Sequence, residues 1–221
     1  MRKVALVTGG ARGIGLAIAG NLALDHDLAV TWLNSQPTDL PIGVLAIQAD
    51  LTDKDSATRI VSETIDRFGR LDVIVNNAGL ISPSTNDLFD GDSLGRMLNV
   101  NVLAAHALLV AALPHLKAGA SIVNISSVNA ILPPAGAALF GASKAALNLW
   151  TKGMAKELGP RQIRVNAVAP GAVNIPEEPR SDELVRLFAD QTALGRIAAP
   201  ADIAKAVRFL GKPTGKAVFL V

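Results

Sequence analysis

A doubly wound α/β fold built on a parallel sheet is what this sequence predicts, and three observations predict it. Short apolar runs rich in β-branched residues recur along the chain, each bounded by Gly, Asn or Asp. Longer segments with helical spacing separate most of them, which is the βαβ pattern. The runs are continuously apolar rather than alternating, as strands covered on both faces are. They fall at residues 4–7, 28–32, 44–48, 71–76, 121–125, 164–169 and 217–221, giving seven parallel strands with helices on both faces. No linker, fixed-period repeat or low-complexity tract interrupts the series, so residues 1–221 read as a single domain.

The first run leads into Thr8-Gly9-Gly10-Ala11-Arg12-Gly13-Ile14-Gly15, and a helix is expected over 13–24. Glycines let the backbone turn sharply and approach a pyrophosphate, while the helix N-terminus offers free N–H groups and the positive end of its dipole. The strand–loop–helix placement makes this a dinucleotide loop rather than a plain helix cap, and the fold a Rossmann fold. At the end of the second strand, an acid would bind the adenosine ribose hydroxyls and exclude a 2′-phosphate. Trp32, Leu33, Asn34 and Ser35 supply none, whereas Arg12 supplies a charge that pairs with such a phosphate. NADP(H) is therefore expected ahead of NAD(H), with Asn34 and Ser35 as candidate contacts.

Only a Pro-containing loop, without a full helix, joins the second and third strands. A helix over 54–68 follows, with Thr52 and Asp53 as candidate N-caps, and Gly79 marks the turn after the fourth strand. Helices are next expected over 94–113, stopped by Pro114, over 135–158 and over 200–210. Residues 171–194 stand apart. Pro176 and Pro179, with Glu177, Glu178, Arg180, Asp182 and Glu183, make a polar excursion beyond a strand end, where ligands sit in such sheets, so this is a candidate lid.

Composition narrows the function. Of 221 residues, 50% are hydrophobic and 18% charged, the balance of a globular domain. The net charge is +2 and the basic residues are scattered, which argues against nucleic acid as a partner. Cysteine is absent, which excludes a disulfide framework, a thiolate nucleophile and Cys-ligated metal. His26, His106 and His115 share no ligand spacing, so no metal is implied. The apolar run at 4–7 is too short for a signal h-region or a membrane span, and a cytoplasmic protein with no membrane partner is expected. Tyrosine is also absent.

Several motifs appear in order: Thr8-Gly9 with Gly13 and Gly15, Asp50-Leu51, Asn76-Asn77-Ala78-Gly79, Asn101, Ile125-Ser126-Ser127, Ala142-Ser143-Lys144, and Asn166 through Pro170-Gly171. Together they resemble the short-chain dehydrogenase/reductase family over nearly the whole chain. The resemblance implies that Thr8, Gly9, Arg12, Gly13, Ile14 and Gly15 cradle the cofactor and that Asp50 and Leu51 flank its adenine. It also implies that Asn77, Ala78 and Gly79 line the sheet beside it, and that Pro170 and Gly171 contact the nicotinamide end. The family's catalytic Asn, Ser and Lys fall on Asn101, Ser127 and Lys144. Its Tyr falls on Phe140.

Residues 140 and 144 lie one helical turn apart and so project from one helix face. A Tyr there would protonate the carbonyl oxygen during hydride transfer, with the lysine ammonium lowering its pKa. The Ser would hold the substrate oxygen and the Asn would support a water reaching the Lys. Phenylalanine carries no transferable proton. Three readings of Phe140 stay open at this point: an introduced substitution that keeps the fold and disables turnover, favoured by the retained Asn101, Ser127 and Lys144; a natural loss in an NADP(H)-binding or regulatory protein; and an enzyme with another proton source.

Two function classes follow, an oxidoreductase acting on a carbonyl or alcohol, and a non-catalytic NADP(H)-binding protein. A pterin is the alternative substrate. The run from Pro170-Gly171-Ala172 to Pro176-Glu177 is similar to pteridine-reductase-like members, which however carry an acid where this chain has Ser127 and a second Arg where it has Gly13. The resemblance further implies a homo-oligomer, tetramer or dimer, packed through helices 94–113 and 135–158. Ala137, Ala138, Ala142, Ala145 and Ala146 there permit close helix approach.

Overall fold

The structure is a computed structural model, and it describes residues 2–87 and 89–212. The chain runs β1 (Lys3–Val7), α1 (Gly13–Leu22), β2 (His26–Trp32), β3 (Leu45–Gln48), α2 (Ser56–Phe68), β4 (Val73–Asn76) and α3 (Gly91–Leu98). After a π-helical stretch, Asn99–Leu103, come α4 (Ala104–Ala112), β5 (Ser121–Ile125), α5 (Ala138–Leu158), β6 (Arg164–Val168), α6 (Asp182–Asp190) and α7 (Pro200–Gly211). The six strands form one parallel sheet in the order β3-β2-β1-β4-β5-β6. The expected seventh strand, 217–221, lies outside the described residues.

Side chains of a strand point alternately to opposite faces, and both faces of this sheet are covered. Along β1, Val4 and Leu6 enter one core while Ala5 and Val7 enter the other. Ile60 and Val61 of α2, Leu108 and Leu109 of α4, and Leu158 of α5 close the first core. Ile18 and Leu22 of α1, with Ile203, Val207 and Leu210 of α7, close the second. Every β1 position after Lys3 is buried, which is why the strand reads as an unbroken apolar run. The strand order turns back between β1 and β4, leaving a crevice at their carboxyl ends, where a doubly wound sheet binds its ligand.

Several element ends differ from the sequence reading for identifiable reasons. The helix expected over 94–113 begins at Gly91, where the Asp90 carboxylate accepts the Ser93 N–H, and it widens into π geometry around Asn101. Thr52 and Asp53 do not cap α2. Its N-cap is Asp55, while Thr52 turns back so that both its N–H and Oγ1 donate to Asp50 Oδ1. The helix expected from 135 starts at Ala138, because Gly136 takes a left-handed φ of 74°. Residues 171–194, expected as a polar excursion and candidate lid, contain α6, whose Ser181 Oγ accepts the Leu184 N–H.

Candidate active site

The glycine loop is tied to the strands on either side of it. Thr8 Oγ1, at the end of β1, accepts the N–H groups of Asn77 and Ala78, each at 3.0 Å. The Asn77 amide donates to the carbonyls of Thr8 and Gly9 at 2.9 and 3.1 Å, and the Gly9 N–H donates to Thr31 Oγ1 of β2 at 3.1 Å. A Cβ at Gly15 would lie 2.0 Å from the Gly9 carbonyl oxygen, so α1 meets the loop closely enough to admit only glycine. Ile14 packs downward against the second core. The N-cap of α1, Arg12, makes no side-chain cap bond, so the helix start is left to other acceptors. Gly13 N–H donates to Glu177 Oε1 at 3.1 Å, and Arg12 Nη1 pairs with Glu178 Oε1 at 2.5 Å.

Asn34 and Ser35 lie exposed just past β2. Among the described residues neither bonds to the glycine loop. The Asp50 carboxylate is committed, with Oδ1 on Thr52 and Oδ2 on Arg96 Nη2 at 2.6 Å. Burial alone would raise this carboxyl, but the Thr52 bonds and the Arg96 guanidinium outweigh it and hold Asp50 below the usual carboxylate range. Leu51, Thr8, Asn76, Ala78 and Asn101 border a cavity of about 10 Å³, room for roughly one water. Beyond β6, the Pro170 carbonyl accepts the Val128 N–H at 2.9 Å, fixing the segment that carries Ser127 against the strand end, and Gly171 is exposed.

Lys144 is buried, 5% exposed, and its Nζ donates to the Ile125 carbonyl at 2.9 Å. Burial holds its ammonium down to about 8. The Phe140 ring centroid lies 5.8 Å from Nζ, so the spacing read from the sequence does bring these two together. Asn101 sits in the π-helical stretch, geometry that recurs at functional sites. Its Oδ1 accepts the Leu80 N–H and its Nδ2 donates to the Leu80 carbonyl, both at 2.8 Å, and to Ser143 Oγ at 3.0 Å. Ser143 Oγ in turn donates to the Phe140 carbonyl at 2.7 Å. Asn101 thus links the Gly79–Leu80 turn to α5, and a Cβ on Gly79 would lie 3.4 Å from Lys144 Nζ and 3.5 Å from Asn101 Oδ1. Ser127, half-buried, accepts the Asn129 N–H at 3.1 Å and keeps its own proton to donate.

Four contributors carry no sequence signal for their roles: Ser143 as a bridge, Arg96 as the partner of Asp50, and Glu177 and Glu178 as the acceptors held by the glycine loop.

A dinucleotide fits these residues. An ammonium has three N–H donors, and among the described residues Lys144 finds one hydrogen-bond acceptor, Ile125 O. A buried cation with uncommitted donors calls for acceptors that the protein does not supply, such as ribose hydroxyls. The loop also presents two anion-seeking groups, the Gly13 N–H and Arg12, and each holds a carboxylate.

The sequence profile of the short chain dehydrogenases matches residues 3–183. The chain belongs to the short-chain dehydrogenase/reductase family. An uncharacterised oxidoreductase of Methylorubrum extorquens is 37% identical over 223 residues, covering 94% of this chain and 90% of that protein. A 3-oxoacyl-(acyl-carrier-protein) reductase of Thermotoga maritima is 34% identical over 220 residues, covering 94% and 89%. Among solved structures, a short-chain dehydrogenase from Burkholderia cenocepacia in complex with NADP superposes at a TM-score of 0.89, with 37% identity, covering 98% of this chain and 93% of that one.

In this short-chain dehydrogenase/reductase, the buried lysine has a stability consequence with a defined sign. Its pKa of about 8 in the folded chain lies below the ordinary 10.5, so below pH 8 both states are protonated and the burial penalty is fully present. As pH rises from about 8 to 10.5 the folded chain releases the proton first, and stability rises by about 3 kcal/mol. Lys144→Met is expected to stabilise the fold at pH 7 by about 1–3 kcal/mol and to remove that rise. Urea unfolding across the window checks it, and equal slopes in both proteins would contradict it.

Proposed function

We propose that the chain is an NADP(H)-dependent oxidoreductase for the carbonyl/alcohol pair of an aldehyde, ketone or oxoacyl substrate, and that Phe140 removes the phenolic proton donor from its site. The observation that carries this reading is Lys144, a buried ammonium with uncommitted donors, standing 5.8 Å from the Phe140 ring on the same helix face. When bound, NADPH supplies hydride to the substrate carbonyl carbon. Arg12 and the Gly13 N–H would hold its phosphate oxygens, and the free Lys144 N–H groups would hold ribose hydroxyls. The Asp50–Leu51 turn, locked by Thr52 and Arg96, would flank the adenine, and Pro170 and Gly171 would border the nicotinamide end. Ser127 donates a hydrogen bond to the substrate oxygen and keeps its proton. Asn101 fixes the Gly79–Leu80 turn against α5, which sets where Lys144 and residue 140 stand. With phenylalanine at 140 the carbonyl oxygen meets no positioned phenol, and turnover is slow for that reason.

Two relatives support the cofactor and substrate class, the Burkholderia structure containing NADP and the Thermotoga protein named for reducing a 3-oxoacyl group. NADPH is expected to bind more tightly than NADH, because β2 ends without an acid and Arg12 stands at the N-cap of α1 within the glycine loop. Arg12→Ala is expected to narrow the difference by about 1–2 kcal/mol. Titration calorimetry with both cofactors tests this, and equal affinities or a preference for NADH would overturn the NADP(H) assignment.

A further inference from the structure

Two successive lid residues place their carboxylates on the two anion-seeking groups of the glycine loop. Glu177 Oε1 takes the first N–H of α1, at Gly13, and Glu178 Oε1 takes the Arg12 guanidinium. The segment is built to present them. The Asn174 N–H bonds to the Ala198 carbonyl at 2.9 Å and the Ala198 N–H to the Ala172 carbonyl at 3.0 Å, anchoring the base of the turn. The Glu178 N–H closes on the Ile175 carbonyl at 3.1 Å, and the Arg180 N–H on Asn174 Oδ1 at 3.1 Å. Ile175 packs over the loop, 3.3 Å from where a Cβ on Gly13 would stand. The turn thus presses an apolar side chain and two carboxylates onto the start of α1.

We propose that Glu177 and Glu178 are an intramolecular stand-in for the cofactor's anions, with Glu177 taking the place of a pyrophosphate oxygen and Glu178 competing with the ribose 2′-phosphate for Arg12. Glu178 is then a residue that sets discrimination between NADP(H) and NAD(H): the Glu177 contact must break before either cofactor seats, whereas the Glu178–Arg12 pair must break only to admit the 2′-phosphate of NADP(H). This rests on the reading of the loop as the dinucleotide site. The two contacts differ in weight. The Arg12–Glu178 pair is 60% and 68% exposed, and an exposed ion pair contributes little, corresponding to about a two- to fivefold change in binding. The Glu177 bond is partly buried and lies at a helix N-terminus, where a carboxylate is held more strongly, about three- to tenfold.

The charges also act on different parts of the ligand. NADPH and NADH share the pyrophosphate, so Glu177→Gln is expected to tighten both. The 2′-phosphate belongs to NADPH alone, so Glu178→Gln is expected to tighten NADPH two- to fivefold and leave NADH unchanged, by about the magnitude of an exposed ion pair. In an Arg12→Gln background the Glu178 effect is expected to vanish, because the competed group is gone.

The experiment is calorimetric titration of NADPH and NADH into the unaltered chain, the two single variants and the Arg12→Gln pair. Hydrogen exchange of residues 171–181 is followed with and without NADPH, with faster exchange of the 175–178 turn expected on binding. If the unaltered chain binds NADPH but neither substitution shifts affinity, or Glu178→Gln shifts both cofactors equally, this proposal fails and the site reading stands. Weaker binding by Glu177→Gln also overturns it, since Glu177 would then hold the cofactor rather than stand in for it. If no variant binds either dinucleotide, the reading of the loop fails and this proposal with it.

Discussion

Phe140→Tyr is expected to raise turnover of a carbonyl substrate by about 10²- to 10⁴-fold, the contribution of a positioned general acid. That corresponds to about 3–5 kcal/mol of transition-state stabilisation. The geometry for the gain is in place. Residues 140 and 144 share one face of α5, the ring centroid is 5.8 Å from Lys144 Nζ, and Ser143 Oγ fixes the Phe140 carbonyl. A phenol next to a buried ammonium is stabilised as phenolate, so its pKa falls toward the working range of a general acid. NADPH affinity is expected to change little, because the added hydroxyl faces the reacting carbonyl rather than the phosphate loop. Absorbance assays with aldehydes, ketones, oxoacyl thioesters and pterins check the rate. If the Tyr variant binds NADP(H) and reduces none of them, a non-catalytic NADP(H)-binding protein becomes the better reading. If the Phe140 chain already turns over at a rate that Tyr does not improve, another proton donor serves the site.

Gly15→Ala is expected to abolish dinucleotide binding and to cost about 3 kcal/mol or more of stability, at the upper end of overpacking effects. Its Cβ would lie 2.0 Å from the Gly9 carbonyl oxygen and 2.6 Å from Asn77 Nδ2. Neither neighbour is free to yield, since the Asn77 amide is held by the Thr8 and Gly9 carbonyls and Gly9 N–H by Thr31. Relief would require α1 to lift, withdrawing Ile18 and Leu22 from the second core. Gly20→Ala, in the same helix with nothing within 4 Å of its Cβ, is the control and is expected to stabilise by about 0.5–1 kcal/mol. Urea denaturation and NADPH titration of both variants decide it. A Gly15→Ala protein that keeps its stability and binds NADPH would show that the close approach is unnecessary.

The sheet was legible because burial on both faces leaves an unbroken apolar run, and β1 shows this position by position. The glycine loop was legible because close backbone approach admits only one residue type. Spacing along one helix placed Phe140 beside Lys144. What the sequence did not show depended on partners distant along the chain. Nothing local to Glu177 points to the Gly13 N–H, 164 residues away. The π-helical turn at Asn101 is stabilised by the Leu80 backbone and by Ser143, partners that helical periodicity does not register. Helix α6 did carry a local signal, Leu184, Leu187 and Phe188 at helical spacing behind the Ser181 cap, but acidic and proline residues around it dominated the reading.

The most direct test of the account follows the hydride itself. NADPH carrying deuterium at both C4 positions of the nicotinamide is incubated with the Phe140→Tyr chain and the carbonyl panel, and the products are read by mass spectrometry and NMR. One deuterium is expected at the carbinol carbon of a product, formed far more slowly by the unaltered chain. NADPH bound by both proteins with no deuterium delivered to any carbonyl would contradict it.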